Sequence, residues 1–177
     1  MSMETKRKGA SPEENAAYVK KLSRLIECKT VWTHDGENEG EFARFYALVD
    51  ELFPNLSAKA TKLSFGGGCF VYVLEGKNPT KNIMLMSHHD VVEASGEWKY
   101  PPFSGEIAEG RVWGRGTLDT KGGLSMMFQA AEELIKEGFT PKRDTYFVTT
   151  CTEETGGEGG DAISKMLKER NMDFYLI

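Results

Sequence analysis

The sequence predicts an α/β domain built on a mixed, largely parallel sheet flanked by helices. The second half carries that prediction. Short apolar runs ("KNIMLMS", "DTYFVTTC", "MDFYLI") alternate with stretches of helical period. Read in order they give β-loop-α-β-α-β, the succession that lays parallel strands side by side with helices on their faces. A second observation is that two of those runs stop abruptly at ionisable residues, His88-His89-Asp90 and Thr152-Glu153-Glu154. Open α/β sheets place their chemistry just beyond the carboxyl ends of strands. The chain has 177 residues with 40% hydrophobic content, which suits one domain with its own core.

The elements follow in order. Ser11-Pro12-x-Glu14 is a capping box with proline at the first helical position, and Tyr18, Leu22, Leu25 and Ile26 share the face behind it. Phe42, Phe45, Tyr46, Val49 and Leu52 make a second helical stripe, which Pro54 stops. "SFGGGCFVYVLEG" reads as a glycine-rich turn and a strand, and "KNIMLMS" as a buried strand. From Glu93 to about Gly116 the Gly, Pro and aromatic content predicts a loop. Leu124, Met127, Phe128, Ala131 and Ile135 form a helical stripe that Gly138 closes. "DTYFVTTC" is a strand, Ile163, Met166 and Leu167 mark a short helix, and "MDFYLI" begins another strand. There are no internal repeats and no low-complexity segment.

Composition narrows the function classes. A net charge of −5 gives no basis for binding nucleic acid or an anionic membrane. The opening "MSMETKRKGASPEEN" has no apolar core of the signal-peptide kind, and no apolar run approaches spanning length. Cys28, Cys69 and Cys151 are odd in number and irregularly spaced, which predicts reduced thiols and a cytoplasmic location.

Three polar clusters are candidates for chemistry: His88-His89-Asp90, Asp119 within "GRGTLDTKGG", and Glu153-Glu154. Each has an ordinary reading. A histidine after a strand is most often a structural hydrogen-bonder, and an acidic pair is usually a solvated loop. His34 in "WTHDGEN" is read as loop, and Met126 and Met127 as core packing. "SFGGGC" lacks the Lys-Ser/Thr of a phosphate-binding loop, so it is read as a turn. "DTKGG" departs from the aspartyl-phosphate sequence of ATPases, because Thr120 and not lysine follows the aspartate. What favours a site is convergence, since one sheet topology would deliver all three clusters to one edge. In an extended chain His88 and Asp90 share a face while His89 points away. An imidazole that binds metal through one nitrogen commonly donates its other N–H to a carboxylate, and His88-x-Asp90 supplies that pair. Asp119 has two oxygens and can bridge two cations. Of the adjacent Glu153 and Glu154, one can ligate while the other faces a bound water. Carboxylates with imidazole suit zinc, and would accept manganese or cobalt.

"SHHDVV", "WGRGTLDTKGG" and "TCTEETGGEGG" resemble the successive signatures of the M20 family of metallopeptidases and deacylases. The match runs from about Lys20 onward. "WKYPPFSGEIAEGRVWGRGTLD" further resembles the branch that contains carboxypeptidase S and the N-acyl-amino-acid hydrolases. The resemblance implies two zinc ions, with His88 a ligand of one, Asp90 orienting it, Asp119 bridging both and Glu154 a ligand of the other. It implies Glu153 as general base and acid, and a cis peptide between Asp119 and Thr120. Ser87 departs from the glycine that many members carry there, a harmless change. The implied reaction is hydrolysis of an amide in dipeptides, short peptides or N-acyl amino acids. The same resemblance marks residues 1–177 as the N-terminal part of a catalytic domain, with a dimerisation domain and a C-terminal part, including further ligands, absent. The substrate-carboxylate groups are expected in that absent part, and the edge strand "DFYLI" is expected to favour homo-oligomers. The contrasting expectation is a non-catalytic metal-binding or interaction module.

Overall fold

The computed structural model describes residues 9–65, 68–78, 82–169 and 172–176. Helix α1 (Pro12–Ile26) starts as its sequence demands. The Ser11 hydroxyl accepts from the Glu14 amide, and the Glu14 carboxylate accepts from the Ser11 amide. Helix α2 (Glu39–Leu52) buries Phe42, Phe45, Leu48, Val49 and Leu52. Pro54 both ends α2 and begins a helix not expected from the sequence, α3 (Pro54–Lys59). Proline at a first helical position gives up only an amide that would have lacked a partner.

Strands β1 (Thr61–Phe65), β2 (Cys69–Leu74), β3 (Asn82–His88), β6 (Thr145–Thr150) and β7 (Phe174–Leu176) form a five-stranded sheet in the order β1-β2-β6-β3-β7. The sheet is mixed, as expected. Its parallel part is confined to the half that carries the site: β3 runs parallel to β6 and β7, whereas β2 is antiparallel to β1 and β6. Between β3 and helix α4 (Lys121–Lys136), the segment read as loop holds a hairpin of β4 (Glu106–Ala108) and β5 (Arg111–Trp113). Glu109 and Gly110 turn it with φ of 56° and 71°, the twist that two-residue hairpins favour. Gly138 closes α4 as expected, with φ of 79° and the Phe139 amide donating back to the Leu134 carbonyl. Helix α5 (Glu158–Glu169) follows a 3-10 turn at Glu153–Thr155.

The alternation of β2 sorts the core into two layers. Phe70, Tyr72 and Leu74 face α1, α2, α3 and α4, where Phe45, Phe53, Leu124 and Phe128 pack. Cys69, Val71 and Val73 face the other way, with Val148, Ile163 and Met166. Every residue of β2 and β6 is buried. In β3, Leu85 and Met86 remain 37% and 51% exposed. Among the described residues, β7 pairs only with Asn82 and Ile83 of β3. Met126, expected in the core, is 71% exposed, while Met127 packs against the first layer. No described helix is long and apolar enough to cross a membrane.

Candidate active site

The site grows from the ladder between β3 and β6. His88 lies opposite Thr150, so the two strands end level and release their chains side by side. The His89 amide donates to the Thr150 carbonyl (2.9 Å), which holds the exits together. Beyond them His88 and His89 part as the period of two requires. His89 is fully buried, stacked on Phe45 at 4.8 Å between centroids, with Nδ1 2.6 Å from the Thr149 hydroxyl. Burial pushes its pKa down to about 3, so the ring is neutral.

His88 faces the opposite way and sits between two aspartates. Its Nδ1 is 3.0 Å from the Asp90 carbonyl and 3.4 Å from Asp90 Oδ1. Its Nε2 is 3.0 Å from Asp119 Oδ1 and 3.8 Å from Glu153 Oε2. Burial alone would lower its pKa, but contacts with Asp90 and then Asp119 outweigh that and raise it to about 9. Asp90 is wholly buried. Oδ2 accepts from the Glu154 amide at 2.9 Å, and Oδ1 has no hydrogen-bond partner. Burial pushes the Asp90 carboxyl up, yet His88 and the amides of Glu154 and Glu153 hold it below the usual carboxylate range. Glu154 moves the other way. Burial, and then the neighbouring charge of Asp119, raise its pKa, because carboxylates crowd one another here.

Asp119 arrives from the turn before α4, where the Asp119–Thr120 peptide is cis as expected. Its side chain is 77% exposed. The Ser87 hydroxyl donates to the Thr120 carbonyl at 3.3 Å, fastening this turn to the end of β3. All five residues singled out by the sequence are therefore brought together. His88, Glu153 and Glu154 each offer a ligand atom, and these atoms lie within 4.8 Å of one another. An imidazole ringed by carboxylates, with a buried aspartate behind it, is a donor set that fits a divalent cation. Glu153, read from the resemblance as a proton carrier, is in that tight group. Asp119, read as the bridge, reaches it through His88.

A family model described as "Peptidase family M20/M25/M40" matches residues 84–177, more than half of the chain. The chain belongs to that family. Among relatives, a probable carboxypeptidase S-like 2 of Dictyostelium discoideum is 37% identical over 150 residues, covering 80% of this chain and 29% of its own length. The human N-fatty-acyl-amino acid synthase/hydrolase PM20D1 is 30% identical, covering 94% of this chain and 34% of itself. Carboxypeptidase S of Saccharomyces cerevisiae is 34% identical, covering 92% and 31%. The chain thus spans about a third of the length of the curated relatives it matches. Human carnosine dipeptidase 1 shares the fold, with a TM-score of 0.78 at 18% identity over 91% of this chain and 38% of that one. So does the M20 metallo-carboxypeptidase Sso-CP2 of Sulfolobus solfataricus, with a TM-score of 0.72 at 19% identity over 90% and 36%.

In this M20/M25/M40 member one further residue supports the site, and no pattern in the sequence marks it. Lys121, two positions after Asp119, is fully buried. Its Nζ donates to the carbonyls of Cys28 (2.6 Å) and Leu25 (3.2 Å) at the end of α1, and lies 5.4 Å from the centre of the Phe45 ring. A lysine at a helix start normally points to solvent. Here it pins the Asp119 turn to α1, at the helix end where carbonyls favour a cation.

Proposed function

We propose that this chain carries the N-terminal part of the catalytic domain of a zinc-dependent amide hydrolase acting on dipeptides, short peptides or N-acyl amino acids. The observation that supports it most is His88 held between Asp90 and Asp119, with Glu153 and Glu154 beside it. His88, Asp119 and Glu154 would hold the metal, with Asp119 shared between two ions. Bound there, zinc supplies a Lewis acid and lowers the pKa of a water.

The chain's own residues account for the rest. Asp90 fixes the orientation of the His88 ring at Nδ1, through its carbonyl at 3.0 Å and the charge of its carboxylate at 3.4 Å, leaving Nε2 to face the site. Glu153 takes a proton from the attacking water as its oxygen bonds to the amide carbon. Glu153 then delivers that proton to the nitrogen as the C–N bond breaks, so acid and amine leave with protons balanced. Its exposed position beside His88 leaves room for a substrate carbonyl. The names of carboxypeptidase S and PM20D1 favour a substrate with an acylated amino acid.

The test separates the two glutamates in the full-length protein. Glu153→Gln should abolish hydrolysis of dipeptides and N-acyl amino acids while metal content stays near normal, because its work is proton transfer. Glu154→Gln should lose one metal per site. Equal metal loss in both variants would overturn these assignments. The 177-residue chain alone should bind zinc weakly and show no turnover, because it offers about two ligands per ion where catalytic zinc has about three. Zinc-dependent turnover by the chain that Glu153→Gln removes would show that it already holds a complete site.

A further inference from the structure

Two of the three cysteines meet inside the fold. Cys69 opens β2 and Cys151 follows β6, and the antiparallel pairing of those strands, Phe70 opposite Thr149, brings both to one end of the sheet. Both thiols are buried in the same core layer, and their Sγ atoms are 3.0 Å apart. A disulfide has its sulfurs about 2.05 Å apart, so an approach of about 1 Å would close the bond. Cys28 lies in the other layer, beyond the sheet.

The hydrolytic reading uses neither sulfur. From the residues already described, we infer that Cys69 and Cys151 are a modification site, a dithiol that small peroxides convert to an intramolecular disulfide. The sulfur of Cys69 attacks one peroxide oxygen, the O–O bond breaks, and a sulfenic acid and water result. The sulfur of Cys151 then displaces the hydroxyl from Cys69 sulfur. Two S–H bonds and one O–O bond are lost, one S–S bond forms, and hydrogen peroxide is reduced to two waters.

Access is built into the cover. Gly159, in the first turn of α5, lies so close that a Cβ there would sit 2.1 Å from Cys69 Sγ. The chain reaches it through Gly156 and Gly157, with φ of 135° and 79°. The cover over Cys69 is thus one turn of glycine backbone with no side chain laid across the sulfur, and a peroxide is small enough to reach it when that turn opens locally. Cys151 also leads directly into Thr152, whose hydroxyl accepts from the Gly159 amide at 2.8 Å. The crosslink would therefore fasten the root of the Glu153–Glu154 turn to β2. The chemistry depends on neither metal nor substrate, so it stands apart from the proposed hydrolysis.

The test is non-reducing mass spectrometry of the folded chain after hydrogen peroxide. The expected product is a peptide pair joining Cys69 to Cys151, lighter by two hydrogens, about 2 Da, than its two thiol peptides together, and dithiothreitol separates it. Cys28→Ser should give the same product, and Cys69→Ser should not. Exposed Met126 reports through its sulfoxide that oxidant was delivered. Oxygen adducts on Cys69 or Cys151 without a linkage would overturn the inference. So would a crosslink through Cys28, or intact thiols in a sample whose Met126 is oxidised. Should Cys69→Ser fail to fold, the linkage map of Cys28→Ser decides alone.

Discussion

The buried lysine offers the sharpest numerical test. Burial lowers the pKa of Lys121 from 10.5 to about 8, with nearby Cys28, Glu41 and Asp90 only partly opposing it. That gap corresponds to roughly 3 kcal/mol between holding the amine charged and holding it neutral. The sign follows from proton counting. Between pH 8 and 10.5 the unfolded chain keeps a proton that the native chain gives up, so stability contributed by this group rises with pH through that window. Below it the ammonium is buried in the native state at full cost. Above it both states are neutral. The perturbation is Lys121→Met, which has no titration and takes the ammonium donor from the Leu25 and Cys28 carbonyls, leaving each only backbone amides. Urea denaturation of both proteins from about pH 7 to about pH 11 cancels every other titrating group in the difference. The native chain should gain roughly 3 kcal/mol on the variant across the range. Parallel curves, or a variant that gains on the native chain as pH rises, would refute the idea that burial depresses the pKa of this amine.

Three further outcomes are expected. Glu132 is buried in α4 and accepts from the amides of Asn55 (3.1 Å) and Leu56 (2.8 Å) at the start of α3. Glu132→Gln should cost about 1–3 kcal/mol in denaturation, since it weakens charged acceptors that α3 depends on, and an unchanged midpoint would count against that contact. Phe128→Ala removes a fully buried ring between Phe53, Tyr72 and Phe147 and should cost about 3–5 kcal/mol by the same assay; a loss under about 1 kcal/mol would mean the layer collapses freely. Gly122→Ala would place a Cβ 2.3 Å from the Thr117 carbonyl oxygen. It should cost about 1–3 kcal/mol and also weaken zinc retention in the full-length protein, because the displaced backbone carries Asp119. Normal stability together with normal metal content would show that this turn yields without moving the site.

What the sequence made legible follows from where periodicity is strong. His88 and Asp90 were readable because a strand end keeps its period of two, and His89 went to the core for the same reason. Asp119 was readable from its place before a helix start. The segments β1, β4 and β5 were not, because they are short and their side chains largely exposed or half-buried, leaving no apolar alternation to find. Met126 misled because it is a large apolar residue in an apolar helix. It stands two residues from both Leu124 and Phe128, about 200° around the axis from each, and so faces away from the core. Lys121 was invisible because nothing in "DTKGG" distinguishes a buried lysine from a solvated one. The neighbouring Glu153 and Glu154 cannot be ordered by spacing, and the geometry places both near His88.

The ladder that sets His88 opposite Thr150 acts as a gauge. Deleting one residue from either strand would slide a cluster by about 3.3 Å and turn its side chains to the wrong face, so the interval between imidazole and glutamates has no small tolerance. The stretch from Val92 to Thr117 is held otherwise, by Gly105 and Gly114 pressed against Ser23 and Ile26 of α1, and its hairpin turn at Gly110 stands clear of neighbours. It leaves from the end of one gauge strand and returns through a hairpin lying on α1, whose Glu109–Gly110 turn can take an insertion that leaves the interval untouched. A longer turn there would extend the hairpin while the spacing of the charged groups stays constant. The spacing of the charged groups and the reach of the hairpin are thus set in separable parts of the chain.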